Sequence, residues 1–370
     1  MQASSTPSGP AAGSPSPLLT VRDLTVSFES AGRSVRAVEG VSLSIHTGQT
    51  LGVVGESGSG KSVTAMSLMH LVPRPPGRFE RGTAVFRSGA DSLDLLSMSE
   101  RRMRTIRGGE IAMIFQEPMS SLNPVFTIGD QIIEAIRLHR RVGAGQAREL
   151  AAGALTGVGI HDAPARLADY PHQFSGGMRQ RVMIAMALAC RPRLLLADEP
   201  TTALDATVQK QILQLLREIK RSTGMAIMLI THDLGVVAEH AEVVCVMYAG
   251  RVVEYGRTSE LLSSPLHPYT RALLACVPKI GVKAERLATV AELARRPGFV
   301  RVPGLDAGQP DAWWPGVASP ERYNLRQVGP GRWVAFSEHA SAAESPPDIT
   351  PIPTPEPENS STHGFSTSAT

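Results

Sequence analysis

The chain has 370 residues, 42% of them hydrophobic and 19% charged, with a formal net charge of +3. That length can bury a real core in one large domain or two modest ones, and the near-balanced charge leaves no electrostatic footprint for nucleic acid. No apolar run approaches the roughly 20 residues of a spanning helix, and the three cysteines (Cys190, Cys245 and Cys276) are too scattered for a disulfide framework. A soluble, cytosolic chain is expected, so any link to a membrane must come through partners.

Taken in order, residues 1–17 are rich in Ser, Pro, Ala and Gly and read as a disordered leader, without the basic and apolar regions of a secretory signal. VRDLTVSF at 21–28 and VSLSI at 41–45 alternate in strand fashion, which predicts an antiparallel β layer. LGVVG at 51–55 is a short buried strand that runs straight into a glycine loop. Apolar residues at 128, 132, 133 and 136 predict a helix over 128–141. Val208, Ile212, Leu215 and Ile219 mark one face of a helix over 205–222, with Asp205 placed to cap it. Runs at 225–231 and 243–248 have the length of buried strands. Strands alternating with helices predict an α/β fold, its mainly parallel sheet covered on both faces. After about residue 265 periodicity weakens, so 266–344 is expected to be a C-terminal appendage and 345–370, rich in Pro, Ser and Thr, a disordered tail.

The loop itself, GESGSGKS at 55–62, fits G-x-x-x-x-G-K-[ST] with a strand before it and a helix after. Gly55, Gly58 and Gly60, with Glu56, Ser57 and Ser59 between them, let backbone N–H groups curl around phosphates, and the following helix adds its positive end. Lys61 can reach β- and γ-phosphate oxygens, and the Ser62 hydroxyl can ligate Mg2+. The alternative is a Gly/Ser-rich linker, but from average residue usage a chance match in a chain this long is on the order of one in a hundred. LLLADE at 194–199 buries a strand and delivers Asp198 and Glu199 at its C-terminal edge, where open α/β sheets bind ligands. Alone, it would equally suit an acidic turn after a core strand.

FSGGMRQR at 174–181, a Ser-Gly-Gly turn opening a helix, stands just before that strand. Together they resemble the signature and Walker B motifs of ATP-binding-cassette (ABC) ATPases, over about residues 18–278. The resemblance implies a P-loop NTPase cassette at 18–265, with an antiparallel β layer, a parallel core sheet and a helical subdomain at about 117–190. It implies ATP and Mg2+ as cofactors. Asp198, Ser62 and Gln116 would serve the metal, Glu199 would polarise the attacking water, and Gln116 and His232 would sense the γ-phosphate. Ser175, Gly176, Gly177 and Met178 would face the nucleotide of a second cassette, in trans, so a monomer should be nearly inert. Asp205 matches the D-loop at the dimer interface, beside its capping role. Phe28 lies where the family usually puts an aromatic on adenine, with a core Phe as the alternative.

QEPMSSLNPVFTIG at 116–129 and SPLHPYTRALL at 264–274 resemble ATPases of bacterial dipeptide/oligopeptide and nickel importers. Neither is needed for hydrolysis, so both speak to subfamily. The implied function is to bind and hydrolyse ATP and so power a di-/oligopeptide importer. The alternatives are an importer of nickel or another small solute, an exporter, or a soluble ABC regulator. The implied partners are two membrane permease subunits, a second cassette (a paralogue), and indirectly an extracellular solute-binding protein, at the cytoplasmic face of the membrane. No nucleic acid is implied, because coiled-coil insertions, zinc-binding Cys clusters and tandem cassettes are missing from the sequence. The family often carries a Cys cluster for an iron–sulfur centre in the appendage. Here no cysteine follows Cys276, so no iron–sulfur cluster is expected there. The aromatic segments WWPG at 313–316 and GRWVAF at 331–336 are expected to hold the module by packing instead.

Overall fold

A computed structural model describes residues 16–30, 32–116, 121–202, 204–277, 289–296, 298–303, 311–314 and 322–338. Most of the expected leader, the expected tail and residues 117–120 of the first subfamily segment lie outside the described residues.

The chain begins with β1 (Leu19–Ser30), β2 (Arg33–Ile45), β3 (Thr50–Val54), α1 (Lys61–Leu68), β4 (Gly77–Ser88), β5 (Asp91–Asp94), α2 (Glu100–Ile106) and β6 (Ile111–Ile114). A helical stretch follows: α3 (Ile128–His139), α4 (Ala144–Gly157), α5 (Ala163–Arg166) and α6 (Gly176–Leu188). Next come β7 (Leu194–Asp198), α7 (Ala206–Thr223), β8 (Ala226–Thr231), α8 (Leu234–His240), β9 (Val243–Tyr248) and β10 (Arg251–Arg257). The last described elements are α9 (Thr258–Ser263), α10 (Pro268–Ala275), α11 (Val290–Ala294), β11 (Arg322–Gly329) and β12 (Arg332–Glu338).

Two sheets result. The expected antiparallel layer has the order β2-β1-β4-β5, and the core sheet runs β11-β12-β10-β9-β3-β8-β7-β6. Within the core sheet, β9, β3, β8, β7 and β6 are parallel. β3, β7 and β8 are buried at every position, as parallel strands covered on both faces must be. Their alternate residues separate into two cores. Leu194, Leu196, Met228 and Ile230 pack with Leu24 and Leu43 of the β layer. Leu195, Ala197, Ile227 and Leu229 pack with Ile132, Ile184 and Ile212 of the helices. The period-two alternation of a strand thus assigns one face to the β layer and one to the helices.

The helices follow their local signals with two adjustments. α3 starts at a capping box between Thr127 and Asp130 and buries Ile128, Ile132 and Ile136, but it ends at His139, two residues short of the expected Arg141. α7 is capped by Asp205, as expected, and stops where Gly224 turns left-handed at φ 70°. Its buried stripe is Ile212, Leu213, Leu216 and Lys220. Leu215 and Ile219 are half-buried, so the face is rotated from the expected one. The rotation brings Lys220 inward, where its Nζ donates to Thr50 Oγ1 at 3.0 Å and Glu242 Oε1 at 2.6 Å.

The segment expected as a C-terminal appendage is joined to the cassette by main-chain pairing. β12 pairs antiparallel with β10 at Glu254–Val334 and Tyr255–Trp333, and β11 pairs with β12 beyond it. Aromatic contacts accompany this pairing. Trp313 meets Tyr323 edge-on at 5.6 Å, Trp314 stacks on Tyr248 at 4.9 Å, and Phe299 meets Trp314 edge-on at 5.0 Å. Among the described residues no helix is long and apolar enough to cross a membrane.

Candidate functional site

The glycine loop leaves β3 at Val54 and enters α1 at Lys61. Gly58 and Gly60 adopt φ 79° and 97°, a region that side chains disfavour. A Cβ on Gly60 would lie 2.5 Å from the Ala37 carbonyl of β2, so strand and loop are in direct contact there. The loop is braced by Ser59 N–H on the Glu56 carbonyl and by Gly250 N–H on the Ser59 carbonyl, both 3.2 Å. Lys61 is buried, and its Nζ donates to the carbonyls of Gly55 and Glu56, each at 2.8 Å. Burial lowers the Lys61 pKa, while the carboxylates of Glu199, Asp198 and Glu56 pull the other way. The result is a caged ammonium on two neutral acceptors, which an incoming polyanion can outcompete.

β7 delivers the acidic pair. Asp198 is buried, and its Oδ1 accepts from the Ser62 hydroxyl at 3.0 Å. Burial raises its pKa, partly offset by the Ser62 bond, while Glu199 next door raises it further. A buried carboxylate beside a hydroxyl, with no cation bonded to it among the described residues, is a hard-oxygen donor set. That suits Mg2+, which takes few protein oxygens and completes its shell with water and phosphate. Among the described residues no group of three or more His, Cys, Asp or Glu side chains is placed to hold a metal.

Glu199 turns the chain sharply. Its φ is 45°, left-handed for a residue with a full side chain, and its N–H is fixed on the Ile230 carbonyl at 2.9 Å. Three side chains converge on its carboxylate. Gln116 Nε2, just after β6, donates to Oε2 at 3.0 Å, and Thr202 Oγ1 donates to the same oxygen at 2.9 Å. His232 Nδ1, just after β8, stands 3.3 Å from Oε1. Burial pushes the Glu199 carboxyl up, but the bonds from Thr202 and His232 and the charges of His232 and Lys61 outweigh it, so the group lies below its ordinary range. It is therefore an anion at neutral pH, ringed by groups that orient it.

The loop, Asp198, Glu199, Gln116 and His232 thus form one constellation. The Ser175 segment is a different surface. Ser175 caps α6, accepting from Met178 N–H at 3.3 Å, and both Ser175 and Gly176 are exposed. Gly177 abuts α7, where an added Cβ would stand 2.9 Å from Val208 Cγ1. Asp205 Oδ1 accepts from Thr207 and Val208 N–H, both at 3.0 Å, which is its capping role. Phe28 lies on β1 between Val35 and Gly77, half-buried against the main core. β2 touches the loop at Ala37 and Val38, and the Met247 carbonyl of β9 lies against Gly55.

Three residues of this site escaped sequence reasoning. Thr202, three positions after Glu199, was legible only as turn chemistry. Gln180, buried in the signature helix, donates to the Pro200 carbonyl and ties that helix to the acidic segment. Tyr269, in the second subfamily segment, accepts through its hydroxyl from Glu56 N–H of the glycine loop at 2.9 Å. A contact across 213 residues leaves no periodic trace.

Comparison with known proteins gives the family. The family described as ABC transporter matches residues 38–202, and the oligopeptide/dipeptide transporter C-terminal region matches 253–298. A putative peptide import ATP-binding protein of Brucella melitensis is 49% identical over 290 residues, covering 78% of this chain and 85% of the relative. The dipeptide transport ATP-binding protein DppD of Bacillus subtilis is 49% identical over 273 residues, covering 74% of this chain and 80% of the relative. Among solved structures, a dimeric post-hydrolysis state of the ATP-binding cassette MJ0796, bound to ADP and Pi, aligns with TM-score 0.57 at 26% identity, over 65% of this chain and 98% of that one. The chain belongs to the ABC transporter ATP-binding subunits, in the oligopeptide/dipeptide importer family.

Proposed function

We propose that this chain binds and hydrolyses ATP to power a membrane importer of di- or oligopeptides. The observation that carries the chemistry is the convergence of Gln116, Thr202 and His232 on the Glu199 carboxylate, beside the Lys61 loop. The peptide assignment draws on the names of the relatives, which are peptide import and dipeptide transport ATP-binding proteins.

In this reading the loop N–H groups and the α1 N-terminus cradle the phosphates, and Lys61 exchanges two carbonyls for phosphate oxygens. Ser62 and Asp198, together with Gln116, would hold Mg2+, which would neutralise charge on the phosphates. Glu199 takes the proton of the attacking water, and its three neighbours hold it in place for that transfer. His232 and Gln116 touch the same carboxylate and so register whether the γ-phosphate is present. Asp205 and the Ser175–Met178 turn face a second cassette, where exposed N–H groups at the start of α6 meet its nucleotide. Phe28 serves the adenine end.

The cassette is read as residues 18–265, with the family's C-terminal module at 266–344. Its partners are two permease subunits, a paralogous cassette and, indirectly, a solute-binding protein, at the cytoplasmic face of the membrane. Closure of two cassettes on ATP moves the permeases, and hydrolysis resets them. A strain lacking this chain should lose uptake of labelled di- and oligopeptides and regain it with the wild-type chain but not with Lys61→Ala. Peptide uptake at the wild-type rate in the deletion strain would overturn the transport reading.

A further inference from the structure

The glycine loop is held from a direction that its own motif does not explain. The Gly55–Glu56 peptide is pinned on both sides. Its carbonyl, that of Gly55, accepts from Lys61 Nζ at 2.8 Å, and its N–H, that of Glu56, donates to Tyr269 Oη at 2.9 Å. Tyr269 is fully buried and belongs to α10, far outside the nucleotide motifs.

Its position is built rather than incidental. His267 caps α10, with Nδ1 accepting from Tyr269 N–H at 3.1 Å and Nε2 on the Trp313 carbonyl at 3.0 Å. The N–H groups of Leu266 and His267 both sit on the buried Glu254 carboxylate at 3.0 Å. Arg332 of β12 balances that carboxylate at 3.1 Å. The Tyr269 ring rests 4.3 Å from the Tyr248 ring, and Tyr248 in turn stacks on Trp314. Residues 266–275, Trp313–Trp314 and β12 thus combine to aim one phenol at one loop peptide.

That peptide matters because Lys61 rests on its carbonyl. To reach a phosphate, the ammonium must leave the Gly55 and Glu56 carbonyls, and the tilt of the Gly55–Glu56 peptide sets where it waits and how easily it departs. We propose that Tyr269 is a positioning residue for the glycine loop, through which the C-terminal module sets the affinity of this chain for nucleoside triphosphate. This rests on the reading of the loop as the ATP site.

Tyr269→Phe keeps the ring and removes the one acceptor. It should raise the Kd of the purified full chain for ATP, and the KM of the assembled transporter, about five-fold, the equilibrium worth of one ordinary hydrogen bond. Its kcat at saturating ATP should stay within about two-fold. Trp314→Ala leaves the hydroxyl but removes the wall behind the Tyr248–Tyr269 pair. It should raise KM in the same direction, and the double variant should show less than the sum of the two effects. Thermal melts count the folded fraction. A folded Tyr269→Phe with unchanged ATP affinity, or one that loses kcat at constant KM, overturns the positioning role. Trp314→Ala lowering Tm alone overturns the part played by the module. Wild-type chain that binds no ATP overturns the site reading and this inference with it, whereas wild-type binding with an unaffected Tyr269→Phe removes the inference only.

Discussion

Glu199→Gln tests the chemistry most directly, because the structure separates what it costs the fold from what it costs the reaction. The carboxylate Oε2 accepts from Gln116 at 3.0 Å and Thr202 at 2.9 Å, while Oε1 faces His232 Nδ1 at 3.3 Å. An amide with its carbonyl oxygen in the Oε2 position keeps both acceptor bonds. Its NH2 then points at His232 Nδ1, which accepts in the tautomer protonated on Nε2. One neutral contact replaces one charged one, a change of about 1 kcal/mol. The reaction has no such substitute. An amide cannot take a proton from water, and a positioned base contributes about 100- to 10,000-fold, or about 3 to 5 kcal/mol of barrier. Phosphate release at saturating ATP should therefore fall by at least two orders of magnitude, while nucleotide titration and thermal melting stay near wild type. Hydrolysis at the wild-type rate would remove Glu199 as the base. Equal losses in binding and turnover would make it a structural residue of the loop.

Two further perturbations address the loop and the module. Gly60→Ala places a Cβ 2.5 Å from the Ala37 carbonyl at a φ of 97°. The backbone conformation alone costs about 1–2 kcal/mol, so ATP affinity should drop about 5- to 30-fold, and a titration giving wild-type affinity would refute the close approach of β2 to the loop. His267 is buried and neutral, its pKa lowered to about 3 by burial, partly offset by its bond to the Trp313 carbonyl. Because the folded pKa lies below the unfolded value near 6.5, its contribution is intact above pH 6.5 and is lost as pH falls toward about 3, by up to ~1.4 kcal/mol per pH unit. Denaturant unfolding from pH 7 to pH 4 should show a shallower loss of stability in His267→Gln, and parallel curves would contradict a neutral buried imidazole.

The sequence carried the parts of the site that local chemistry encodes. Gly55–Ser62, Asp198, Gln116 and His232 each end or follow a short apolar run, and a buried strand has few ways to read but as a strand. The rest depends on distance. The helix over Ala206–Thr223 was placed and its cap named, but its buried face shifted because Lys220 finds Glu242 across the sheet, a partner no helical period can announce. The pairing of β12 with β10 is made of main-chain bonds, which carry little side-chain code, so residues 322–338 read as irregular. Tyr269 is the sharpest case. HPYT read as a mark of subfamily, outside the needs of hydrolysis, and its tyrosine stands on the phosphate loop.

FSGGMRQR and LLLADE stand close in the sequence yet serve, in the proposed mechanism, two different nucleotides. The structure gives a physical reason for their proximity. Gln180, five residues into the helix that Ser175 caps, is buried on the Pro200 carbonyl, one residue past Glu199. Gly177 lies against Val208, on the helix that Asp205 caps. A buried amide on a carbonyl is costly to leave unpaired, about 1–3 kcal/mol, so α6 and the Glu199 turn move together or break that bond. In the proposed dimer, a second cassette pressing on Ser175 would act on a helix that is fastened next to the proposed base, Glu199. In the proposed mechanism the exposed half-site and the buried one are separate in what they bind and joined through the Gln180–Pro200 bond and the Gly177–Val208 contact.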